Sequence, residues 1–183
     1  MADDVTAEDW VTLGVALLQR EGPASLDVAE LCGRLGCEVA DFHRHFAGKG
    51  AYALAIARHW AETAEAAARE ARGGKKPSER LLAMLALGVE ADVNLERGVR
   101  ALAADHPEVA ELVRSADDRH ELVFTTDLAA VYGLEGEEAQ EFGRMLNALH
   151  IAAMSRPAGE AKTWGAGPAR ALTALLGSNF PIE

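Results

Sequence analysis

The stretch LCGRLGCEVADFHRHFAGKG, residues 31–50, contains the pattern that decides the fold. A helical pattern ends at Leu35, and Gly36 follows it. Glycine permits the left-handed backbone that a tight turn between two helices needs. After the turn, Phe42 and Phe46 stand four residues apart, which places both rings on one side of a short helix. The stretch therefore predicts two short helices joined by a tight turn.

Helical spacing continues on both sides of this stretch, and no segment shows the strict alternation of a β-strand. The linker GGKKP, residues 73–77, is the clearest break in the chain. The predicted helices cover about residues 7–21, 28–35, a short segment ending at Gly48, 49–72, a segment capped by Ser78 that ends at a break over 94–98, then 99–104, 107–133, 137–155 and 168–176. The sequence therefore predicts an all-α protein of about nine helices.

Composition and charge limit the partners of the chain. Of its 183 residues 49% are hydrophobic but only 5% are aromatic, and the formal net charge is −11. Such a charge opposes a general attraction to nucleic acid or to anionic membranes. A nucleic-acid contact would therefore need a local exception to the acidic charge of the chain. The N-terminus MADDVTAED is acidic, and no uncharged apolar stretch of about 18 residues occurs. We expect a cytoplasmic protein with no membrane partner.

The two cysteines, Cys32 and Cys37, are predicted to be reduced thiols that serve as small core residues. A helix followed by a turn does not usually bring such a pair into disulfide geometry. His43 and His45 lie nearby, but structural zinc sites space the two ligands of each pair two to four residues apart, and these four residues do not follow that spacing. We therefore expect no metal and no cofactor.

A longer series of residues carries a family resemblance. It consists of Leu13-x3-Leu17-Leu18, Gly22, Val28-x2-Leu31, Leu35-Gly36, Phe42-x3-Phe46 and Lys49-x2-Tyr52. Three short helices, a long fourth helix and an all-α body in this order resemble the TetR family of one-component transcriptional regulators. The resemblance implies a helix-turn-helix DNA-binding domain over residues 1–50 and an effector-binding and dimerisation domain over residues 51–183.

The same resemblance implies which residues contact DNA: Glu38, Val39, Asp41, His43, Arg44, His45 and Lys49. Lys49 matches the lysine that family members place against the DNA backbone, whereas Asp27 stands where the family commonly has Ser or Thr. Between residues 25 and 49, three basic side chains face four acidic ones, for a net charge of −1. Lys and Arg normally supply the counterion release that drives non-specific DNA binding. This predicted DNA-facing surface is therefore unusually acidic.

The resemblance also implies a ligand pocket between the fifth, seventh and eighth helices. Its predicted residues are Met84, Leu87, Leu102, Phe124, Met145 and Trp164, with His120, Asn147 and His150 as polar anchors. The apolar members could equally fill the core of the body. The helix over 137–155 and the final predicted helix would form a homodimer interface, or their apolar faces could close the core of one protomer.

Two functions remain open. The first is a TetR-like repressor that binds operator DNA as a dimer and is released by a small-molecule effector. The second is a ligand-binding or protein-binding dimer of the same fold that has lost sequence-specific DNA binding. No catalytic residues are predicted, since the sequence has no nucleophile with a base at a recognisable spacing and no glycine-rich phosphate loop. We expect the protein not to be an enzyme.

Overall fold

The computed structural model describes residues 5–90, 92–154 and 174. Within these residues the chain forms eight α-helices and one 3₁₀ turn and has no strand, which confirms the all-α prediction. The helices are α1 Ala7–Arg20, α2 Val28–Leu35, α3 Val39–His45, α4 Lys49–Arg72, α5 Pro77–Glu90, α6 Val93–Asp105, α7 Pro107–Tyr132 and α8 Gly136–Met154. Of the helix predicted over 168–176, all residues but 174 fall outside the described part of the chain, and residue 174 is helical. None of the described helices is long and apolar enough to cross a membrane.

The ends of the first helices follow from their local sequence. At the start of α1 the Thr6 amide donates to the Asp9 carboxylate over 2.8 Å, and the Asp9 amide donates back to Thr6 Oγ1 over 3.2 Å. At the start of α2 the Asp27 carboxylate accepts from the amide of Ala29 over 3.0 Å. Helix α2 ends at Gly36, whose φ of 66° is left-handed. The predicted turn between α2 and α3 is confirmed.

Two predicted features of the body are wrong. The predicted break at residues 94–98 is the first half of α6, because Gly98 lets this helix pack closely on Leu18: a Cβ added at Gly98 would lie 3.1 Å from Leu18 Cδ2. Ser78 does not cap α5, which begins one residue earlier at Pro77. The preceding amide, of Lys76, instead donates to Glu79 Oε2 over 3.0 Å.

The chain divides into two compact units. The first consists of Met1–Thr63 and Asn94–Arg114, and the second of Ala64–Val93 and Ser115–Glu183. The boundaries between the units fall within α4, after the first residue of α6 and within α7. A compact unit need not coincide with a functional domain, so the predicted domains 1–50 and 51–183 remain a prediction.

An aromatic cluster holds the first unit together. Phe42 on α3 is fully buried and packs edge-on against Trp10 of α1, with ring centroids 5.3 Å apart, and against Tyr52 of α4, with centroids 5.5 Å apart. Phe46 packs on both Phe42 and Tyr52. The buried Tyr52 hydroxyl donates to the Trp10 carbonyl over 2.6 Å. Burial raises the pKa of this hydroxyl above its usual range, so the group stays a neutral donor.

The close approach of α1 and α4 depends on Gly14. This residue is buried, and a Cβ added to it would meet Tyr52 Oη and, at 2.5 Å, Ile56 Cδ1. Both of those side chains belong to the buried core. A methyl group at position 14 would therefore force the core apart.

Gly14→Ala is expected to lower the free energy of unfolding by about 1 to 3 kcal/mol through overpacking. Gly33→Ala is the matched control, since it is also a helical glycine but a Cβ there meets nothing within 4 Å. Alanine at that position should stabilise α2 slightly, by about 0.5 to 1 kcal/mol. Urea unfolding followed by circular dichroism measures both. Equal effects of the two substitutions would contradict the packing of α1 on α4.

The second unit has its own core of Leu81 and Met84 from α5, Phe124 and Leu128 from α7, and Leu146 from α8. All five are at least nine-tenths buried. Leu87 of α5 is half-buried and packs against this cluster. Helices α5, α7 and α8 therefore share one apolar core.

One carboxylate lies fully buried in the same unit. Asp127 on α7 accepts from Arg72 Nε over 3.2 Å and from Arg80 Nε over 2.8 Å. The two arginines are the last residue of α4 and a residue in the first turns of α5, on either side of the linker. Removing a partner from such a buried group typically costs about 3 to 5 kcal/mol. Asp127 therefore fixes both ends of the linker against α7.

Candidate functional site

Helix α3 exposes one face to solvent and packs the other face into the core through Phe42. Glu38, which precedes the helix, and His43 are exposed, and Val39 is 46% exposed. Phe42 is fully buried on the opposite side. The short helix is thus held rigidly from behind by one aromatic ring while the face with residues 39, 40, 43 and 44 points outward. A helix presented in this way has the form needed to enter a major groove.

Two of the acidic residues at this surface have structural roles. Asp41 accepts a hydrogen bond from the backbone amide of Glu38 over 2.7 Å, which satisfies a donor at the start of α3. Asp27 serves the start of α2 in the same way. Carboxylates near a helix N-terminus are also favoured by the helix dipole. The acidity of this surface therefore follows in part from how the two helices begin.

Every cation between residues 25 and 49 is ion-paired with a carboxylate. Lys49 Nζ lies 3.2 Å from Asp27 Oδ2, and Arg44 pairs with Asp41 within α3. Arg34 contacts the carboxylate of Glu30 over 2.6 Å, and a second carboxylate, that of Glu21, over 3.0 Å. The groups that would contact DNA phosphates are thus already neutralised within the chain.

These pairs are exposed and therefore weak. The side chains of Lys49 and Asp27 are 60% and 54% exposed, and exposed ion pairs contribute little because water and salt screen them. The hydrogen bond from Lys49, with smaller contributions from the backbone amides of Glu30 and Ala29, lowers the pKa of Asp27 below its usual value. Asp27 therefore remains a carboxylate at neutral pH, although a phosphate could take its place beside Lys49.

The remaining predicted DNA contact, His45, is exposed and lies at the end of α3. Its Nε2 lies 2.9 Å from the carbonyl oxygen of Val5. The ring therefore connects α3 to the segment before α1. A role for His45 in DNA contact stays a prediction, as do the roles of the other residues on this surface.

The predicted pocket residues separate into several groups. Met84, Leu87 and Phe124 lie in the core cluster of the second unit. Leu102 is buried but belongs to the first unit. Met145 is 40% exposed on α8. The last of the predicted residues, Trp164, falls outside the described part of the chain.

The three predicted polar anchors lie on neighbouring turns of α7 and α8. The rings of His120 and His150 pack edge-on with centroids 5.7 Å apart. Asn147 is 6% exposed, and its Nδ2 donates to the Asp117 carbonyl over 3.1 Å. This hydrogen bond fixes the amide, and its Oδ1 is buried without a hydrogen-bond partner. An unmet buried acceptor is unusual and can receive a donor from a ligand or from water.

Helix α5 approaches the same polar residues through Gly88, which lies next to the His150 ring. A Cβ added at Gly88 would lie 2.9 Å from Nδ1 of His150, so the absent side chain leaves room for the ring. The fold thus brings the three polar residues predicted for the pocket onto facing helices. The buried contact of Asp127 with Arg72 and Arg80 was not predicted, and its one signal in the sequence is a charged residue directly beside the apolar Leu128. Among the described residues, no cluster of three His, Cys, Asp or Glu side chains suits a metal ion.

Comparison with known proteins identifies the fold. No family model matches the sequence, and no curated protein matches it significantly. Solved structures do match. A transcriptional regulator from Rhodococcus is 18% identical with a TM-score of 0.76, over 95% of this chain and 97% of that chain. NemR of Escherichia coli is 16% identical with a TM-score of 0.74, over 97% and 98%.

A third structure carries the family name. The TetR-family transcriptional regulator from Agrobacterium tumefaciens is 18% identical with a TM-score of 0.64, and the match covers 90% of this chain and 96% of that chain. At these identities the likeness is one of architecture. The resemblance predicted from the series between Leu13 and Tyr52 is thereby confirmed for the fold: the chain has the fold of the TetR-family transcriptional regulators.

Proposed function

We propose that the chain is a homodimeric transcriptional regulator of the TetR type, which binds operator DNA through α3 and is released by a small-molecule effector. The observation that carries the proposal is the outward face of α3, held from behind by the buried ring of Phe42. No reaction is part of the proposal, and the protein would act in the cytoplasm. The dimer would form through α8 and the predicted final helix.

In this proposal two α3 helices enter successive major grooves, about 34 Å apart. Glu38, Val39 and His43 would lie nearest the base edges, since they are exposed at the start and on the outer face of the helix. A carboxylate can accept a hydrogen bond from the amino group of cytosine. Arg44 and Lys49 would turn from their carboxylate partners to DNA phosphates.

A second candidate function is a ligand-binding or protein-binding dimer of this fold that does not read DNA. The observation in its favour is that all three cations of residues 25–49 pair with carboxylates. Non-specific affinity depends on Lys and Arg contacts to phosphates, and these three side chains must leave their carboxylate partners before they can make such contacts. The two functions differ in one measurable property, binding to duplex DNA.

Fluorescence anisotropy with a labelled duplex of random sequence at about 50 mM salt tests the first function, because phosphate contacts alone suffice for binding there. Binding that weakens as salt increases supports the regulator. Absence of binding by the folded dimer supports the second function instead.

Glu38→Lys is expected to raise non-specific DNA affinity by about tenfold at low salt, because it replaces an anion by a cation at the groove. The slope of log affinity against log salt should steepen by about 2 for a dimer that gains one contact per protomer. Glu62→Lys is the matched control, with the same change in charge at an exposed position of α4. Equal gains in the two variants would show that position 38 does not face DNA.

Asp27→Asn is expected to raise non-specific affinity a few-fold, because Lys49 loses the carboxylate that competes with a phosphate. Asparagine caps a helix about as well as aspartate, so the unfolding free energy should change little. Glu62→Gln removes the same charge elsewhere and serves as control. An unchanged affinity for Asp27→Asn would mean that Lys49 does not contact DNA.

The effector in this proposal binds among α5, α7 and α8, beside His120, Asn147 and His150. The buried Oδ1 of Asn147 supports an effector with a hydrogen-bond donor at its polar end. An effector that binds better to the DNA-free form must weaken DNA binding by the same free energy.

Asn147→Leu tests this site because leucine has a similar volume and no acceptor. Compounds that raise the melting temperature of the wild type are expected to bind the variant about tenfold more weakly, the cost of one lost hydrogen bond in a buried site. Gln140→Leu, an exposed position on the same helix, should bind them as the wild type does. Equal binding to both variants would place the effector elsewhere.

A further inference from the structure

The end of α2 brings the two cysteines of the chain together. The amides of Gly36 and Cys37 both donate to the carbonyl of Cys32, the second over 3.1 Å. This is the pattern of a helix that ends in a left-handed glycine with a hydrogen bond spanning five residues. In such an ending, the side chain three residues before the last helical position contacts the residue after the glycine. Here those two positions are Cys32 and Cys37.

The two thiols differ in access to solvent. Cys32 is 4% exposed, whereas Cys37 is half-buried, and both are free in the structure. Burial, together with the nearby Cys32 thiol, raises the pKa of Cys37 above its usual value. The guanidinium of Arg44 acts in the opposite direction and favours the thiolate. A reagent in solution therefore reacts first with Cys37, and the buried Cys32 lies close to the modified residue.

We propose that Cys32 and Cys37 are an oxidation site, which a low-molecular-weight disulfide converts to an intramolecular disulfide across the turn between α2 and α3. The Cys37 thiolate attacks one sulfur of the reagent, forms a mixed disulfide and expels one reagent thiolate. The Cys32 thiolate then attacks the Cys37 sulfur and expels the second reagent thiolate. The two cysteines lose two protons and two electrons, and the reagent is reduced to two thiols.

The backbone supports this bond without a large rearrangement. A disulfide requires the two Cα atoms to lie about 4.4 to 6.8 Å apart with the Cβ atoms facing each other. The hydrogen bond from the Cys37 amide to the Cys32 carbonyl and the left-handed backbone of Gly36 hold the two residues close together, and in a helix ending of this kind the side chains at these two positions commonly contact each other. Sequence spacing alone gives no such indication, because it omits the hydrogen bond across the turn.

The bond would act on the segment that presents α3. Cys37 directly precedes Glu38, where α3 begins, and Cys32 lies in the buried part of α2. Oxidation would therefore tie the start of α3 covalently to the core of the first unit. The disulfide itself does not depend on the proposed DNA binding, so the two proposals can fail separately.

The full-length protein is incubated with oxidised glutathione under native conditions, alkylated with iodoacetamide and weighed by mass spectrometry. The wild type is expected to lose two hydrogen atoms and both alkylation sites while remaining a single chain on a non-reducing gel. The rate should rise with pH, because the thiolate fraction of Cys37 increases toward its raised pKa. Retention of both thiols in the folded wild type, or disulfides only between chains, would overturn the proposal.

Two single variants separate the roles of the cysteines. Cys32→Ala, which keeps the buried position apolar, is expected to stop at a mixed disulfide and gain one glutathione on Cys37. Cys37→Ser is expected to keep its buried Cys32 thiol unmodified, and circular dichroism confirms that both variants are folded. Glutathione attached to Cys32 rather than to Cys37 would contradict the order of attack.

Discussion

The packing of Phe42 between Trp10 and Tyr52 is the interaction on which the rest of the first unit depends. It joins α1, α3 and α4 through three rings and one hydrogen bond, that from Tyr52 to the Trp10 carbonyl. A helix of seven residues has no stability of its own, so α3 exists because Phe42 and Phe46 are buried. Side chains on its outward face, such as that of Val39, are exposed and contribute little to this core.

The way α2 and α3 begin explains in part how an acidic sequence occupies this helix-turn-helix surface. Asp27 and Asp41 stabilise the starts of α2 and α3, where negative charge is favoured. The same carboxylates hold Lys49 and Arg44. Since exposed ion pairs are weak, the cost of this arrangement to a DNA complex is the repulsion between carboxylates and phosphates rather than the loss of the pairs. The balance between these effects decides between the two candidate functions.

The sequence was sufficient for features that depend on neighbours along the chain. The bounds predicted for α4, 49–72, agree with the structure, as does the turn at Gly36. Features that depend on distant residues were missed. A break was predicted at residues 94–98, whereas Gly98 lies within α6 and packs against Leu18. The residues next to Gly98 in the sequence do not reveal this contact.

The candidate site follows the same rule. The exposed face of α3 could be predicted from its spacing, but its ion pairs could not, since Lys49 and Asp27 are 22 residues apart. The ion pairs of Asp127 are even harder to predict from the sequence, because its arginine partners lie 55 and 47 residues away. Cys32 and Cys37 are close in sequence, yet their contact depends on a backbone hydrogen bond that the residue types alone do not specify.

The contact of Asp127 with Arg72 and Arg80 has a consequence for how this chain can change length. The two arginines flank the linker, so the carboxylate closes residues 73–79 into a loop whose ends are fixed by α7. Lengthening a closed flexible loop costs only about 0.6 kcal/mol for each doubling. Residues inserted between Gly73 and Lys76 should thus form a longer surface loop, while the register of α4 and α5 is preserved. The linker is the natural place to splice a tag or a foreign peptide into this protein.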